Sequence, residues 1–347
     1  MEDHVSDVIM NNITWLHLSD WHQRGKDFDR RIIRDALIKD IKNRVQISPQ
    51  LKKIDFIIFS GDVAWSGTSE QYSGAINDLF DPLLQVTGLP KECLFIIPGN
   101  HDLDETEFRF LPEGIKNPFQ TENEVQQWLN YEKERNYLLT PFTAYQHFVT
   151  TYTGQESPGY ASIRQLEIRG QKVALLGLNS ALMCRRNKQI SSDGEKVNDN
   201  RFLIVGEHQI YNALNKIIDD DLKIVVLHHP LDWLIEFDQT RIESRLLSNF
   251  HFLLHGHRHY PQIRTGNSSE GDCVIISGGA SYDRRIPTDP RYNSSYNFVH
   301  LNFENGKGNV YWRRWSDRRN GGAWIEDTET YKDGQYEFPL PQQLLPK

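Results

Sequence analysis

The sequence predicts a layered α/β fold, and two observations lead to this prediction. Strand-like and helix-like segments alternate over residues 13–102, which is the pattern of a sheet covered by helices. Several of the strand-like segments also end in Asp, Asn or His. Because ligands of such sheets collect at the carboxyl ends of the strands, these polar ends mark the expected functional edge.

The first part of the chain contains three predicted strands and two predicted helices. Residues 13–19 alternate in polarity, whereas 54–60 and 93–97 are continuous apolar runs, typical of strands buried on both faces. Apolar residues recur at helical spacing over about 29–44 and over 69–86. The order strand, helix, strand, helix, strand follows.

Residues 103–160 interrupt this alternation. They are rich in Glu, Gln, Asn and aromatic residues, contain four prolines, and show helical spacing around 125–137 and 142–148. We therefore predict an inserted, partly helical segment that stands over the strand ends. It would act either as a lid that sets substrate size or as a surface that docks a partner.

The layered pattern resumes after the insertion. Predicted segments follow in the order strand, strand, polar surface loop, helix, strand and strand: 161–168, 172–180, 185–201, 206–218, 223–230 and 250–259. Three more strand-like runs, at 272–279, 296–303 and 309–316, predict an antiparallel stretch within a C-terminal β extension over 271–340. No linker is visible, so we predict a single domain over 1–347.

Composition excludes several classes of protein. A chain of 347 residues with 38% hydrophobic residues is long enough to bury a core without disulfides, and its three widely spaced cysteines favour a reducing compartment. The chain has no apolar run near the roughly 20 residues that cross a bilayer, and its first twelve residues lack a secretory signal. We expect a cytoplasmic protein. The net charge of −8 disfavours a surface built wholly for nucleic acid, but does not exclude a local basic groove.

Five strand ends deliver polar side chains that are typical of metal sites and of the groups beside them: Asp20, His22, Asp62, Asn100, His101, His228, His257 and His259. Carboxylates, an amide and several imidazoles suit Mn²⁺, Fe²⁺ or Fe³⁺, or Zn²⁺ better than Ca²⁺. In Asp-x-His and His-x-His, an extended chain turns both side chains to the same side. Two divalent ions about 3.5–4 Å apart can bind the attacking and the leaving oxygen of a phosphate ester.

Five sequence blocks resemble the calcineurin-like metallophosphoesterases. The blocks are DWH (20–22), GDVAWSG (61–67), GNHD (99–102), HHP (228–230) and GHRH (256–259), in the order of the family. The resemblance spans residues 13–260. It implies a four-layer α/β/β/α sandwich with a dinuclear metal centre that hydrolyses phosphoesters.

The resemblance also implies a role for each residue. One metal ion would be held by Asp20, His22, Asp62 and His259, and the other by Asp62, Asn100, His228 and His257, with Asp62 and a water or hydroxide bridging them. His101 would donate a hydrogen bond or proton to the departing oxygen, and Asp102 would orient His101 from behind.

Three other histidines stay outside this set. His229 either points into the substrate groove or packs, and the sequence leaves these alternatives open. His17 and His255 precede the ligands within predicted strands, and we expect both to be structural.

Departures from family patterns exclude two kinds of monoesterase. Protein Ser/Thr phosphatases carry an Arg where Ser66 stands, and their third block ends in Glu rather than Asp102. Purple acid phosphatases use a Tyr ligand where Trp65 stands. A phosphodiester is therefore the expected substrate.

Two phosphodiesterase branches remain. Residues 54–102, together with GEHQIYNAL and LHHP, are similar to the bacterial class III cyclic-nucleotide phosphodiesterases, which we favour. HLSDWH is similar to the SbcD/Mre11 exonucleases, which would act on DNA or RNA. A non-enzymatic scaffold is disfavoured because no ligand is missing. The expected partner is thus a phosphodiester or nucleotide, with nucleic acid as the alternative and no membrane.

The segment YWRRWSDRRNGGAW (311–324) interleaves arginine with aromatic residues. It would either stack and bind nucleotides or single strands, or form an edge hairpin that packs on the core. We favour the hairpin, with four arginines meeting solvent and nearby carboxylates: Arg313, Arg314, Arg318 and Arg319.

Overall fold

The computed structural model describes residues 12–25, 28–156, 159–191, 194–269, 271–282, 293–318 and 321–345. The prediction made for the amino-terminal residues 1–11, and that for Arg319, lie outside these ranges. Within them, no helix is long and apolar enough to cross a membrane.

Two mixed sheets form the centre of the fold. In spatial order, the first contains β14 (Ala323–Glu326), β13 (Lys307–Ser316), β12 (Ser295–Asn302), β1 (Asn12–Leu18), β2 (Phe56–Phe59) and β3 (Leu94–Ile96), and β15 (Gln335–Pro339) also pairs with β13. Strands β1, β2 and β3 are parallel, whereas β12 runs antiparallel to both β1 and β13. The three predicted amino-terminal strands are confirmed.

The second sheet contains β10 (Ile263–Ser268), β11 (Gly271–Ser277), β9 (Phe252–His255), β8 (Leu222–Leu227), β5 (Gln171–Leu178) and β4 (Ser162–Ile168). Its four middle strands are parallel, and β10 and β4 pair antiparallel at its ends. The prediction that 272–279 belongs to the antiparallel C-terminal stretch is wrong, because β11 pairs parallel with β9 in this second sheet.

The two sheets pack face to face, and helices cover their outer faces. Alternate side chains of each strand explain this: Trp15, Phe56 and Phe252 are buried between the sheets, while Leu16 and Ile57 face the helical layers. Trp15 stacks on Phe56 with ring centroids 5.6 Å apart. The expected four-layer α/β/β/α sandwich is confirmed.

The outer helices include three predicted helical stretches and one helix that was not predicted. Helix α1 spans Phe28–Lys42, and α2 (Ser69–Ala75) continues through a π-helical turn into α3 (Asp81–Thr87). Helix α7 (Glu207–Leu214) is shorter than predicted. Helix α8 (Glu236–Asn249) was missed, since only Asp238, Ile242 and Leu246 of its residues are buried.

The insertion forms three helices, α4 (Glu122–Leu129), α5 (Glu132–Leu139) and α6 (Thr143–Thr153). The helical stretch predicted over 125–137 is broken, because α4 ends at Leu129 and α5 begins at Glu132. Helix α6 packs against α2, and the Tyr145 hydroxyl donates to the Ile96 carbonyl at 2.9 Å. The insertion is therefore anchored beside the first sheet.

Of two other predictions, one needs correction and one is confirmed. The polar loop predicted over 185–201 contains a hairpin of β6 (Lys188–Ser191) and β7 (Gly194–Val197). The hairpin predicted over 311–324 is confirmed, because β13 pairs antiparallel with β14, which is a terminal strand of the first sheet. Its arginines do meet carboxylates, since Arg313 forms a bidentate pair with Asp40 at 2.7 and 2.8 Å.

Candidate metal centre

Loops from both sheets converge at one edge of the sandwich. Backbone hydrogen bonds join the loop after β1 to the loop after β2, with Asp20 N donating to Gly61 O at 2.9 Å and Trp21 N to Asp62 O at 2.9 Å. In the second sheet, Gly256 N donates to His228 O at 3.0 Å. These bonds fix the loops at the carboxyl ends of four strands against one another.

Five residues of these loops adopt left-handed backbone conformations with φ between 51° and 64°: Asp20, His22, Asp62, His257 and His259. Such conformations are uncommon for residues other than glycine and carry strain. The side chains of the Asp-x-His and His-x-His pairs therefore do not converge through extended geometry, as predicted. They converge because the chain turns sharply at each of these residues.

Two glycines allow the loops to approach this closely. A Cβ atom on Gly99 would lie 2.2 Å from Asp62 Oδ1, and one on Gly256 would lie 2.0 Å from Ser19 Oγ. Neither contact is sterically tolerable. The glycines of the GNHD and GHRH blocks are thus required by the packing of the loops.

The carboxylate of Asp20 is fully buried and held asymmetrically. Its Oδ2 atom accepts hydrogen bonds from Ser19 Oγ at 2.5 Å and from the backbone N–H of His257 at 3.1 Å. Its Oδ1 atom lies 2.8 Å from His259 Nε2. One oxygen is therefore fixed by protein donors, and the other faces an imidazole nitrogen.

Asp62 repeats this arrangement. Its Oδ1 atom accepts from the backbone N–H of His101 at 2.7 Å. Its Oδ2 atom lies 3.1 Å from His22 Nε2 and 3.3 Å from His228 Nε2. Asp62 thus stands between an imidazole of the first sheet and one of the second.

Hydrogen bonds at Nδ1 fix the orientation of three imidazoles. Nδ1 of His228 lies 2.7 Å from the carbonyl oxygen of Ser60, and Nδ1 of His101 lies 2.9 Å from that of Trp65. Because a carbonyl oxygen can only accept, each Nδ1 carries the proton and leaves Nε2 turned towards the site. His229 is held by its Nδ1 contact with Ser180 Oγ at 2.9 Å.

The sequence left open where His229 points, and the structure shows its position. His228, His229 and His257 offer nitrogen atoms that lie within 4.8 Å of one another. Asn100 Oδ1 lies 3.2 Å from Nε2 of both His228 and His229. His229 therefore lies in the same cluster as the predicted ligands of the second ion.

The residues predicted to hold the other ion lie equally close together. Ligand atoms of Asp20, His22 and His259 lie within 4.8 Å of one another, as do those of Asp20, Asp62 and His228. All eight residues predicted from the strand ends, His101 among them, are thus brought together. These groups could hold metal ions.

Charge within the clusters is balanced between carboxylates and imidazoles. Burial opposes ionisation of Asp62, but His228 and His101 hold its pKa well below the usual range. Burial would also lower the pKa of His228, yet Asp62 and Asp20 raise it to about 9. Burial lowers the pKa of His257 and of His229. The two carboxylates thus stabilise positive charge on His228, and they would stabilise a metal cation at this place in the same way.

The contacts of Asp102 do not include the His101 ring that it was predicted to orient. Its carboxylate accepts hydrogen bonds from the backbone N–H groups of Val63, Ala64 and Gly99 at 3.1, 2.9 and 3.0 Å. Burial and nearby Asp62 raise the pKa of Asp102 to about 7. His101 is oriented instead by the Trp65 carbonyl. Asp102 acts on the site by joining the loop after β2 to the loop after β3.

His17 and His255 are buried away from these clusters. His17 Nε2 lies 2.9 Å from Ser60 Oγ, and His255 Nδ1 lies 3.1 Å from the carbonyl oxygen of Gly256. Burial lowers the pKa of His17 to about 3 and that of His255 to about 4. Both are neutral residues with structural hydrogen bonds.

A cleft of about 640 Å³ opens over the clusters. Sequence reasoning missed several residues of its wall, of which only Arg30 lies in a long helix, α1: Arg24, Arg30, Trp233, Arg258, Tyr260 and Tyr282. Among the described residues, those that line the cleft include none from 103–160. A lid formed by the insertion stays a prediction.

The model of the calcineurin-like phosphoesterase family matches residues 13–261. This chain belongs to that family. A metallophosphoesterase-like protein of Bacillus subtilis strain 168, YydB, described as uncharacterized, is 22% identical over 96% of this chain and 67% of its own length. Membership in the family places the chain among metal-dependent phosphoesterases, and the clusters lie where the calcineurin-like blocks predict them.

Two solved structures are similar to this phosphoesterase over most of its length. GAP50, the anchor in the inner membrane complex of Plasmodium, is 12% identical, with a TM-score of 0.47 and coverage of 95% of this chain and 88% of its own. A single mutant of Vps29 from Entamoeba histolytica is 8% identical, with a TM-score of 0.39 and coverage of 94% and 99%.

Proposed function

We propose that this protein hydrolyses phosphodiester bonds in a nucleotide-type substrate, with two divalent metal ions. The observation that carries the proposal is the asymmetric setting of the two buried carboxylates. Asp20 and Asp62 each have one oxygen fixed by protein donors, while the other faces imidazole nitrogens. Such a setting leaves one oxygen of each carboxylate to meet a cation.

The donor set fits two cations rather than a structural ion-pair network. Nδ1 of His228 is bonded to a backbone carbonyl, which leaves Nε2 with a lone pair in the neutral ring. Two carboxylates, an amide and several such imidazoles match the preferences of Mn²⁺, iron and Zn²⁺. The buried carboxylates then need no proton for charge balance.

One cation would be held by Asp20, His22, Asp62 and His259, and the other by Asp62, Asn100, His228 and His257. When bound, the two ions would supply Lewis acidity, which lowers the pKa of water and neutralises charge on the phosphoryl oxygens. His229 contributes by holding Asn100 beside His228, because its Nε2 atom contacts the same amide oxygen.

His101 is the group that supplies a proton to the leaving oxygen. Its Nδ1–H is committed to the Trp65 carbonyl, so only the imidazolium form can donate from Nε2. Burial lowers the pKa of His101, whereas Asp62 opposes that shift. The carboxylate of Asp62 therefore supports the protonated form that donation requires.

The preference for a diester rests on departures from the monoesterase patterns. Ser66 and Trp65 stand where monoesterases place a phosphate-clamping Arg and a ligating Tyr, and the described cleft wall contains tryptophan and tyrosine faces. Aromatic walls suit the apolar part of a nucleotide. The class III cyclic-nucleotide branch remains our prediction within this class.

The test is hydrolysis of bis-p-nitrophenyl phosphate by the full chain with Mn²⁺, Fe²⁺ or Zn²⁺. We expect metal-dependent turnover that a chelator removes and that Asp62→Asn lowers by at least about 100-fold. His255→Gln serves as the matched control, because His255 is buried outside the clusters. Wild-type turnover in Asp62→Asn would refute the assigned centre.

A further inference from the structure

Three arginines line the cleft, and they differ in what holds them. Arg258 is paired with the carboxylate of Asp232 and donates to the Tyr260 hydroxyl at 2.6 Å. Arg30 is buried and donates to the carbonyl oxygen of His22 at 3.0 Å. Among the described residues, Arg24 is placed by an aromatic face and by no carboxylate within ion-pair distance.

The guanidinium of Arg24 lies 3.5 Å from the ring centroid of Trp65. The imidazole of His101 stacks on the same indole, with centroids 4.3 Å apart and planes 25° from parallel. Two groups at these distances occupy opposite faces of one ring. We call this arrangement the Arg24–Trp65–His101 stack.

Stacking engages the flat face of a guanidinium and leaves its N–H edge available. That edge carries donors in a planar fork, which matches two oxygens of a phosphate. Arg24 is also half-exposed at the wall of the cleft, so an anion can reach it from the side of the metal clusters. Arg24 therefore has both the position and the hydrogen-bond donors of an anion-binding residue.

We propose that Arg24 binds a second phosphate of the substrate, carried by the leaving group. This inference rests on the proposed function. The stack places Arg24 across one indole from His101, and His101 is the residue assigned to the leaving oxygen. The substrate class that fits is an oligonucleotide or dinucleotide with a further phosphate on the leaving nucleoside. A cyclic mononucleotide has a single phosphate and cannot make this contact, so this inference favours the nuclease alternative over the cyclic-mononucleotide substrates of the class III branch.

The experiment compares the dinucleotide TpT with its two phosphorylated forms, pTpT and TpTp, and with cyclic AMP. In pTpT the extra phosphate is on the nucleoside that leaves through its 3′ oxygen. In TpTp it is on the nucleoside that leaves through its 5′ oxygen. We expect one of them to exceed TpT in kcat/KM by at least about tenfold, as a charge-assisted hydrogen-bond pair would give. Arg24→Gln should reduce this ratio to less than about threefold.

Arg34→Gln is the matched control, because Arg34 pairs with Asp35 and Asp78 on the outside of the fold. It should keep the wild-type ratio. Calorimetric titration with thymidine 3′,5′-bisphosphate and thymidine 5′-monophosphate gives a second readout that needs no turnover. The bisphosphate should bind the wild type about tenfold more tightly than it binds Arg24→Gln.

The outcomes separate the two proposals. Failure to hydrolyse bis-p-nitrophenyl phosphate and every nucleotide refutes the proposed function, and the calorimetric comparison then still decides the role of Arg24. Hydrolysis of TpT with no gain from either phosphate, or cyclic AMP as the best substrate, overturns the inference alone. Equal ratios in Arg24→Gln and the wild type would also overturn it.

Discussion

Trp65 holds His101 in two ways at once. Its carbonyl oxygen lies 2.9 Å from His101 Nδ1, and its indole stacks on the imidazole at 4.3 Å. The ring of His101 is therefore fixed both in tautomer and in plane. Trp65 stands where purple acid phosphatases have a ligating Tyr, and we propose that it positions His101 instead of binding a metal.

From this we expect the effect of His101→Ala to depend on the leaving group. TpT has a poor leaving group that needs a proton, so its kcat should fall about 10²- to 10⁴-fold. Bis-p-nitrophenyl phosphate has a good leaving group, so its kcat should fall less than about tenfold. Steady-state kinetics with both substrates checks this. Equal losses would exclude His101 as the acid.

His229→Gln tests the part that His229 plays in the second cluster. Because His229 shares the Asn100 amide oxygen with His228, the variant should weaken binding of one Mn²⁺ by about 10- to 100-fold and leave the other unchanged. Equilibrium dialysis with Mn²⁺ measures both affinities, and His255→Gln is the control. Unchanged metal affinity with a raised KM would instead assign His229 to the substrate.

Asp102→Ala should destabilise the fold as well as the site. The substitution leaves three buried N–H groups without their acceptor, so we expect the free energy of unfolding to fall by about 2–4 kcal/mol. Asp102→Asn keeps one oxygen and should lose less. Urea unfolding in chelator gives both values. The control Asp35→Ala, on the exposed face of α1, should change the free energy of unfolding by less than about 1 kcal/mol.

His251 should make stability depend on pH below neutrality. Its Nδ1 atom accepts from Lys223 N at 3.0 Å, and burial followed by Lys223 lowers its pKa to about 4. The unfolded chain binds this proton below about pH 6.5, whereas the native state binds it only near pH 4. Stability is thus fully present above pH 6.5 and is lost as the pH falls towards 4.

The predicted loss from His251 alone is about 3 kcal/mol. His251→Asn should flatten the difference in unfolding free energy between pH 6.5 and 4 by about that amount, as measured by urea unfolding at a series of pH values. His147→Asn changes an exposed histidine of α6 and should leave the profile unaltered. An unchanged slope in His251→Asn would show that this histidine titrates normally.

The strands and the grouping of the polar strand-end residues were predictable because their signals are local. Continuous apolar runs reveal strands such as β2, and the Asp62 and His228 blocks follow those runs directly. The reason that the ligands converge was not predictable. Left-handed turns at Asp20 and His22 arise from the docking of loops, and aspartate or histidine gives no signal of such a turn.

Other features depend on contacts between distant segments. Asp102 follows His101 in sequence, yet it bonds to amides of a different loop, so adjacency suggested the wrong partner. Arg24 and Trp233 line the cleft from irregular loops in which no periodicity marks an inward face. Such residues become visible only when the loops are assembled.

Because loops of both sheets build the centre, its parts are made at different times during synthesis. A nascent chain that has passed residue 102 holds both carboxylates, but the imidazoles of His257 and His259 emerge about 150 residues later. One of the two neighbours of β1 comes later still, since β12 spans Ser295–Asn302. We therefore expect the complete centre to form only after β12 has been translated.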